Sequence, residues 1–209
     1  MLPRLTSHRL IIFLKAPRPG LVKTRLAVEL GVEAAHAAYV RLVEVLFKNL
    51  TRLDPADSVE LRFTPDDAAA EIEKWRLPGW LVSPQGPGDL TQRLSSAMRD
   101  AFETGARRVV IIGSDCPQVT AQDIQTAWGE LENHDVVAGP AIDGGYWLIG
   151  MRSHHPQIFE GIAWSTSAAL AQTLERCRAQ RLTVKLLRPL EDIDTAADWI
   201  RFCGVPRPD

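Results

Sequence analysis

Short runs of consecutive apolar residues alternate along the chain with longer stretches in which apolar positions recur every three to four residues. That alternation of strand-like and helix-like periods predicts an α/β domain rather than a sandwich or a bundle. Arg9 to Lys15 opens as a buried strand, and after a loop from Ala16 to Val22 a short helix is expected over Thr24 to Leu30, ended by Gly31. A long alanine-rich helix follows from Val32 to Leu53, and Val59 to Phe63 returns to strand. Pro65-Asp66-Asp67 is expected to start a helix through Trp75, because proline and acids suit a first helical turn. Next come a strand at Trp80 to Ser83, a helix from Asp89 to Thr104, and the most apolar strand, Val109 to Ile112.

Thr120 with Asp123 three residues on has the spacing of a capping box for a helix to Leu131. Strands at Asp135 to Gly139 and Tyr146 to Met151 flank the loop Pro140 to Gly145, whose paired glycines suit a left-handed turn or a close backbone approach. Ser165 or Ser167 is expected to cap a helix to Gln180. Thr183 to Leu187 forms a late strand, and Asp194 is expected to cap a last helix through Phe202. No repeat or linker divides the pattern, and 209 residues with 45% hydrophobic content fill one core, so residues 1–209 are expected to form a single domain. The model is one Rossmann-like, mixed and mostly parallel sheet with helices on both faces, its ligand beyond the carboxyl ends of the strands.

Charge narrows the partners. With 24 Lys plus Arg against 26 Asp plus Glu, the formal charge of -2 offers no general attraction to nucleic acid or anionic lipid. The apolar run Leu10 to Leu14 falls far short of the ~20 residues of a membrane span and lacks the flanks of a signal peptide, so a cytoplasmic protein is expected. Cys116, Cys177 and Cys203 are too scattered for a zinc or redox pair, and the five histidines lack metal-ligand spacing.

Five segments carry candidate chemistry. Lys15 to Arg25 places Lys15, Arg18, Lys23 and Arg25 between a buried strand and a helix start, where free N–H groups and cations suit a phosphate; composition alone allows an ordinary solvated loop. Val22 stands where a Walker loop needs glycine, which argues against that class of ATPase. Asp115, in the Gly113 to Pro117 turn after the central strand, is well placed to hold Mg²⁺ or Mn²⁺ against phosphate oxygens, or to serve only the turn. Cys116 reads as a small packing residue rather than a nucleophile. Asp143 before Gly144 and Gly145 suits either a ligand contact or a plain hairpin turn. Asp89 and Asp194 each look like helix caps, and Asp192 could face a site across a turn.

In this order the segments KAPRPGLVKTRL, QGPGDLTQR, GSDCP, GPAIDGGYWLIG, Trp164-Ser165-Thr166 and DIDTAAD resemble the bacterial arsenosugar-biosynthesis and selenodomain-associated glycosyltransferases over nearly the whole length. The resemblance implies the nucleotide-diphospho-sugar transferase (GT-A) fold, shared with molybdenum-cofactor and phospholactate guanylyltransferases. It implies a nucleotide partner held by Lys15, Arg18, Gly20, Lys23, Thr24 and Arg25 at the phosphates and by Gln85, Gly86, Asp89 and Arg93 at the base or ribose. Asp115 takes the place of an Asp-x-Asp metal motif, with Gly113 where a second acid is usual, so the second ligand of a divalent Mg or Mn ion is sought at Asp192, with Asp194 and Asp143 as alternatives. Thr91 stands where the family commonly has glycine. The expected activity is sugar transfer from a nucleoside-diphosphate sugar to a small acceptor, with Asp143, Asp115 and Lys23 catalytic and Asp143, Gly144, Gly145, Tyr146 and Trp164 at the sugar or acceptor. The alternatives are a nucleotidyltransferase that releases pyrophosphate and a non-catalytic nucleotide-binding module.

Overall fold

In the computed structural model, which describes residues 8–54 and 57–204, seven strands form one sheet in the order β3-β2-β1-β4-β6-β5-β7. The strands are β1 (His8–Lys15), β2 (Ser58–Thr64), β3 (Leu81–Pro84), β4 (Arg108–Gly113), β5 (Val136–Pro140), β6 (Tyr146–Met151) and β7 (Val184–Leu186). All lie parallel except β6, which runs antiparallel between β4 and β5. The chain is thus a single α/β domain with a mixed, mostly parallel sheet.

The two faces of the sheet are separately buried, as strand alternation requires. Leu10, Ile12 and Leu14 of β1 with Val110 and Ile112 of β4 pack under α2 (Val32–Leu50) and α5 (Ala121–Glu130). Ile11, Val109 and Ile111 face α4 (Leu90–Glu103) and α6 (Ala169–Ala179). A smaller cluster of Leu26, Ala35, Ala38, Ala196 and Trp199 joins α1 (Thr24–Leu30), α2 and α7 (Ala196–Gly204). Small alanines let these three helices approach closely, and their contact carries the last helix to the start of the first.

The capping predictions divide. The boxes Asp89–Gln92 at α4 and Thr120–Asp123 at α5 form with both reciprocal hydrogen bonds. At α7 the cap is Thr195, not Asp194: the Thr195 hydroxyl accepts the Asp198 N–H at 3.2 Å, and the Asp198 carboxylate accepts the Thr195 N–H at 2.8 Å. Neither Ser165 nor Ser167 caps α6; Ala168 holds that position without a side-chain bond, and Ser165 has a left-handed backbone (φ 61°). The segment after β2 first makes a turn, closed by Ala68 N–H on the Pro65 carbonyl at 3.0 Å. Helix α3 therefore spans only Ala69–Ile72, followed by a 3₁₀ turn over Glu73–Trp75. Helix α2 stops at Leu50 instead of Leu53, where the Thr51 hydroxyl bonds the Lys48 carbonyl at 2.8 Å. None of the three cysteines is paired, and no helix among the described residues is long and apolar enough to cross a membrane.

Candidate active site

Strands β1 and β4 are parallel neighbours, and a crevice lies beyond their carboxyl ends, lined by Phe13, Gly113 and Asp115. The loop after β1 is held before any ligand arrives. Tyr39 on α2 donates its hydroxyl to the Lys15 carbonyl at 2.8 Å and accepts the Lys15 N–H at 2.9 Å. His36 reaches the Pro17 carbonyl at 2.8 Å, and Ala16 and Val22 are buried. The loop then delivers Lys23 at the N-cap of α1 in a left-handed conformation, φ 46° and ψ 47°. For a residue with a side chain this costs about 1–2 kcal/mol, a strain that persists only where the surroundings enforce it.

Electrostatics do the enforcing. The Lys23 ammonium, only 3% exposed, bridges Asp115 Oδ1 at 2.5 Å and Asp194 Oδ1 at 2.9 Å. Burial alone would lower its pKa, but the two carboxylates outweigh that cost and raise it above the ordinary lysine range. Arg25 adds a longer contact to Asp194 at 3.6 Å. Asp115 itself is half exposed and faces the crevice.

The stretch after β7 brings the other acids. Leu190 N–H bonds the Pro140 carbonyl at 3.0 Å, and buried Ile193 donates its N–H to the Asp115 carbonyl at 3.2 Å. Ile193 is thereby fixed beside the β4 exit, and its neighbours Asp192 and Asp194 both reach the cleft. Asp192 accepts the Cys116 thiol at 2.6 Å. Burial first, then the charges of Asp115, Asp143 and Asp194, push the Asp192 carboxyl up to about 6 against the opposing thiol bond. Burial and the facing carboxylate push the Cys116 thiol far above the usual range, so it holds Asp192 and is no nucleophile.

Asp143 sits at the exposed tip of the β5–β6 hairpin, with Oδ1 accepting the Gly145 N–H at 2.9 Å. The next residue pins the hairpin to the start of α6: Leu170 N–H bonds the Gly144 carbonyl at 3.0 Å. A Cβ on Gly144, whose φ is +90°, would lie 2.3 Å from the Ser167 carbonyl oxygen. Gly144→Ala is expected to destabilise the fold by about 2–4 kcal/mol through backbone strain and overpacking, read from the urea midpoint. Gly86→Ala is the control, since Gly86 has φ +81° with nothing within 4 Å; it should cost only about 1 kcal/mol. Equal losses for the two would contradict the packing argument.

The resulting cleft has a volume of about 480 Å³ and is lined by the charged Arg25, Asp115, Asp143, Asp192 and Asp194, by Ser165, Thr166 and Ser167, and by the large side chains of Phe13, Leu90, Tyr146 and Trp164. Several residues expected at the phosphates are elsewhere. Arg18 is turned away and held by Glu71 at 2.6 Å and Asp67 at 3.0 Å, carboxylates that raise its pKa further. Lys15, Gly20 and Thr24 do not line the cleft, and Lys23 lies behind its acids. Gln85 is buried against the Leu14 and Arg62 carbonyls at 3.4 and 3.1 Å, with Arg93 touching it at 3.4 Å; Gly86 donates its N–H to Asp66 at 3.3 Å. This group lies at the carboxyl ends of β2 and β3, and Asp89 is occupied as a cap. Sequence reasoning missed Asp194 as the partner of Lys23, because its position before a helix imitated a cap. It named Tyr146 and Trp164 for the sugar or acceptor but not Phe13 and Leu90, which line the same cleft.

A model of the family described as "uncharacterized protein conserved in bacteria" (DUF2064) matches residues 47–166. A solved structure from Desulfovibrio desulfuricans G20, provisionally assigned as a nucleotide-diphospho-sugar transferase, is 36% identical over 91% of this chain and 83% of that one, with a TM-score of 0.85. A phosphoenolpyruvate guanylyltransferase from Chloroflexus aggregans is 24% identical over 196 residues, 91% of this chain and 95% of that protein. A nucleotidyl transferase from Methanothermobacter thermautotroptrophicus shares the fold, with a TM-score of 0.60 at 15% identity over 94% of this chain and 95% of that one.

Proposed function

Because the chain belongs to the DUF2064 family and its relatives are of transferase type, we propose that it is a cytoplasmic, metal-assisted nucleotidyltransferase that joins a nucleoside triphosphate to a small phosphorylated molecule and releases pyrophosphate. The observation that carries this is the Lys23 bridge, which ties the β1 loop, the β4 exit and the entry to α7 into one charged floor. Arg25, which lines the cleft, stabilises the negative charge that shifts onto the departing phosphates, while Lys23 holds Asp115 and Asp194 in place behind it. Asp143, with one oxygen held by Gly145, orients the attacking group from the hairpin tip. Arg18 is left out of this set, since two carboxylates already hold it. Lys15, Gly20 and Thr24 are retained on the adjoining loop, and Gln85, Gly86 and Arg93 at the base or ribose.

The donors suit a divalent ion. Four carboxylates face one cleft, and burial first, then the charges of its neighbours, raises the pKa of Asp192. Hard oxygen ligands of this kind prefer Mg²⁺ or Mn²⁺, and Asp115 with Asp192 would hold the ion. Among the described residues no three His, Cys, Asp or Glu side chains converge into a cation cage. When bound, such an ion neutralises phosphate oxygens and aligns the transferring group.

The second reading is sugar transfer from a nucleoside-diphosphate sugar, supported by the 36% identical relative and by the GSDCP and GPAIDGGYWLIG segments. The test incubates the protein and Mg²⁺ with each nucleoside triphosphate and a panel of phosphorylated small acids and sugars, phosphoenolpyruvate among them. Pyrophosphate release that stops on chelation is the expected result. Release of nucleoside diphosphate from sugar nucleotides, with no pyrophosphate from any triphosphate, would replace the first reading by the second.

A further inference from the structure

Part of the cleft is lined by four side chains, Phe13, Leu90, Tyr146 and Trp164, with no free hydrogen-bonding group to offer, beside the hydroxyl residues Ser165, Thr166 and Ser167. Trp164 is half-buried, and its indole N–H is already spent on the Thr91 hydroxyl at 2.8 Å, which in turn donates to the Phe159 carbonyl at 3.1 Å. Tyr146 packs edge-on to Trp164 with ring centroids 6.1 Å apart. Its ring lines the cleft, but its hydroxyl oxygen is buried in the protein and out of reach of a ligand there. Phe13 is half-buried and Leu90 is 38% exposed, and they complete the wall. A polar sugar or a bare carboxylate set against these four side chains would lose water and gain no partner from them, which is costly.

We propose that the acceptor carries an apolar group, a branched alkyl chain or an aromatic ring, seated against Trp164, Tyr146, Phe13 and Leu90 while its reacting end lies toward Asp115 and Asp143. This rests on the transferase reading for what happens at the reacting end. It also gives Thr91 a role: its hydroxyl, which accepts the indole N–H, fixes the plane of Trp164. Trp164, Leu90 and Thr91 are then the residues that set acceptor specificity.

The experiment uses full-length protein with Mg²⁺ and two series of probes: phosphates bearing methyl, propyl, pentyl and phenyl groups, and the matching alcohols ending in benzyl alcohol. The phosphate and alcohol headgroups separate an anionic from a hydroxyl acceptor. Affinity should rise about fourfold per methylene over the first few carbons. The phenyl and benzyl probes should also shift the Trp164 indole N–H resonance, assigned with Trp164→Phe. Thr91→Val keeps the size of the side chain and should flatten the slope at least threefold by releasing the ring, and Trp164→Ala should flatten it further. An affinity independent of chain length in both series, or failure of every aromatic probe to bind, overturns the proposal. So does a nucleoside triphosphate that alone saturates the Trp164 shift and competes with phenyl phosphate, because the wall would then belong to the base. A protein that releases no pyrophosphate but keeps the chain-length slope loses the nucleotidyl reading and not this one; working release with a flat slope does the reverse.

Discussion

Asp115→Asn lowers the rate of transfer by a factor of about 10² to 10³, the size of loss seen when one preorganised electrostatic contact to a developing charge is removed. The fold is expected to survive. Asp115 is half exposed, Asn has nearly the same volume, and Lys23 keeps its bond to Asp194 at 2.9 Å. Thermal unfolding should therefore move little while single-turnover rates collapse. A non-catalytic nucleotide-binding module would behave in the opposite way, with ligand affinity untouched and no rate to lose. Full activity in this variant would remove the premise that the strand-end carboxylate works on the phosphates.

Lys23→Met is expected to lose both rate and stability. Among the described residues the ammonium is the one group that pairs with Asp115 and Asp194 together, and without it the two carboxylates face each other beside Asp192 and Asp143. Removing one member of a fully buried pair costs about 3–5 kcal/mol. Here the acids are exposed enough for water to relieve part of that, so a loss of about 1–3 kcal/mol is expected. Activity should fall by about 10² or more. The variant combining Lys23→Met with Asp115→Asn and Asp194→Asn should recover most of the stability and none of the activity, since the repulsion is gone and the chemistry with it. Unfolding curves and pyrophosphate release on the same preparations separate the two effects. A stable, active Lys23→Met protein would show that the bridge is only a surface ornament.

Much of the architecture was readable along the chain. Leu10 to Leu14 and Val109 to Ile112 are strands because unbroken apolar runs must be covered on both faces. The caps at Asp89 and Thr120 were legible because their partners Gln92 and Asp123 stand three residues away. Asp115 was legible as a candidate because a carboxylate just past a buried strand lands at the sheet's carboxyl edge whatever the rest of the fold does. Each of these inferences draws on interactions that span a turn or a strand.

Other decisions came from pairings across the whole chain. Asp194 and Lys23 are 171 residues apart, and only the packing of α7 on α1 turns a residue that resembles a cap into half of a bridge, while Thr195 takes over the capping. Arg18 belongs by its neighbours to a phosphate loop, yet Glu71 and Asp67, from the segment after β2, reach it first. Phe13, Leu90 and Trp164 come from three separate stretches and form a wall only once α4 and the 165–168 loop meet over the sheet. Backbone hydrogen bonding and apolar periodicity act locally and are therefore written in order along a chain. A side-chain charge is captured by whichever opposite charge the fold brings within a few ångströms, and that competition is settled only when distant segments are packed together.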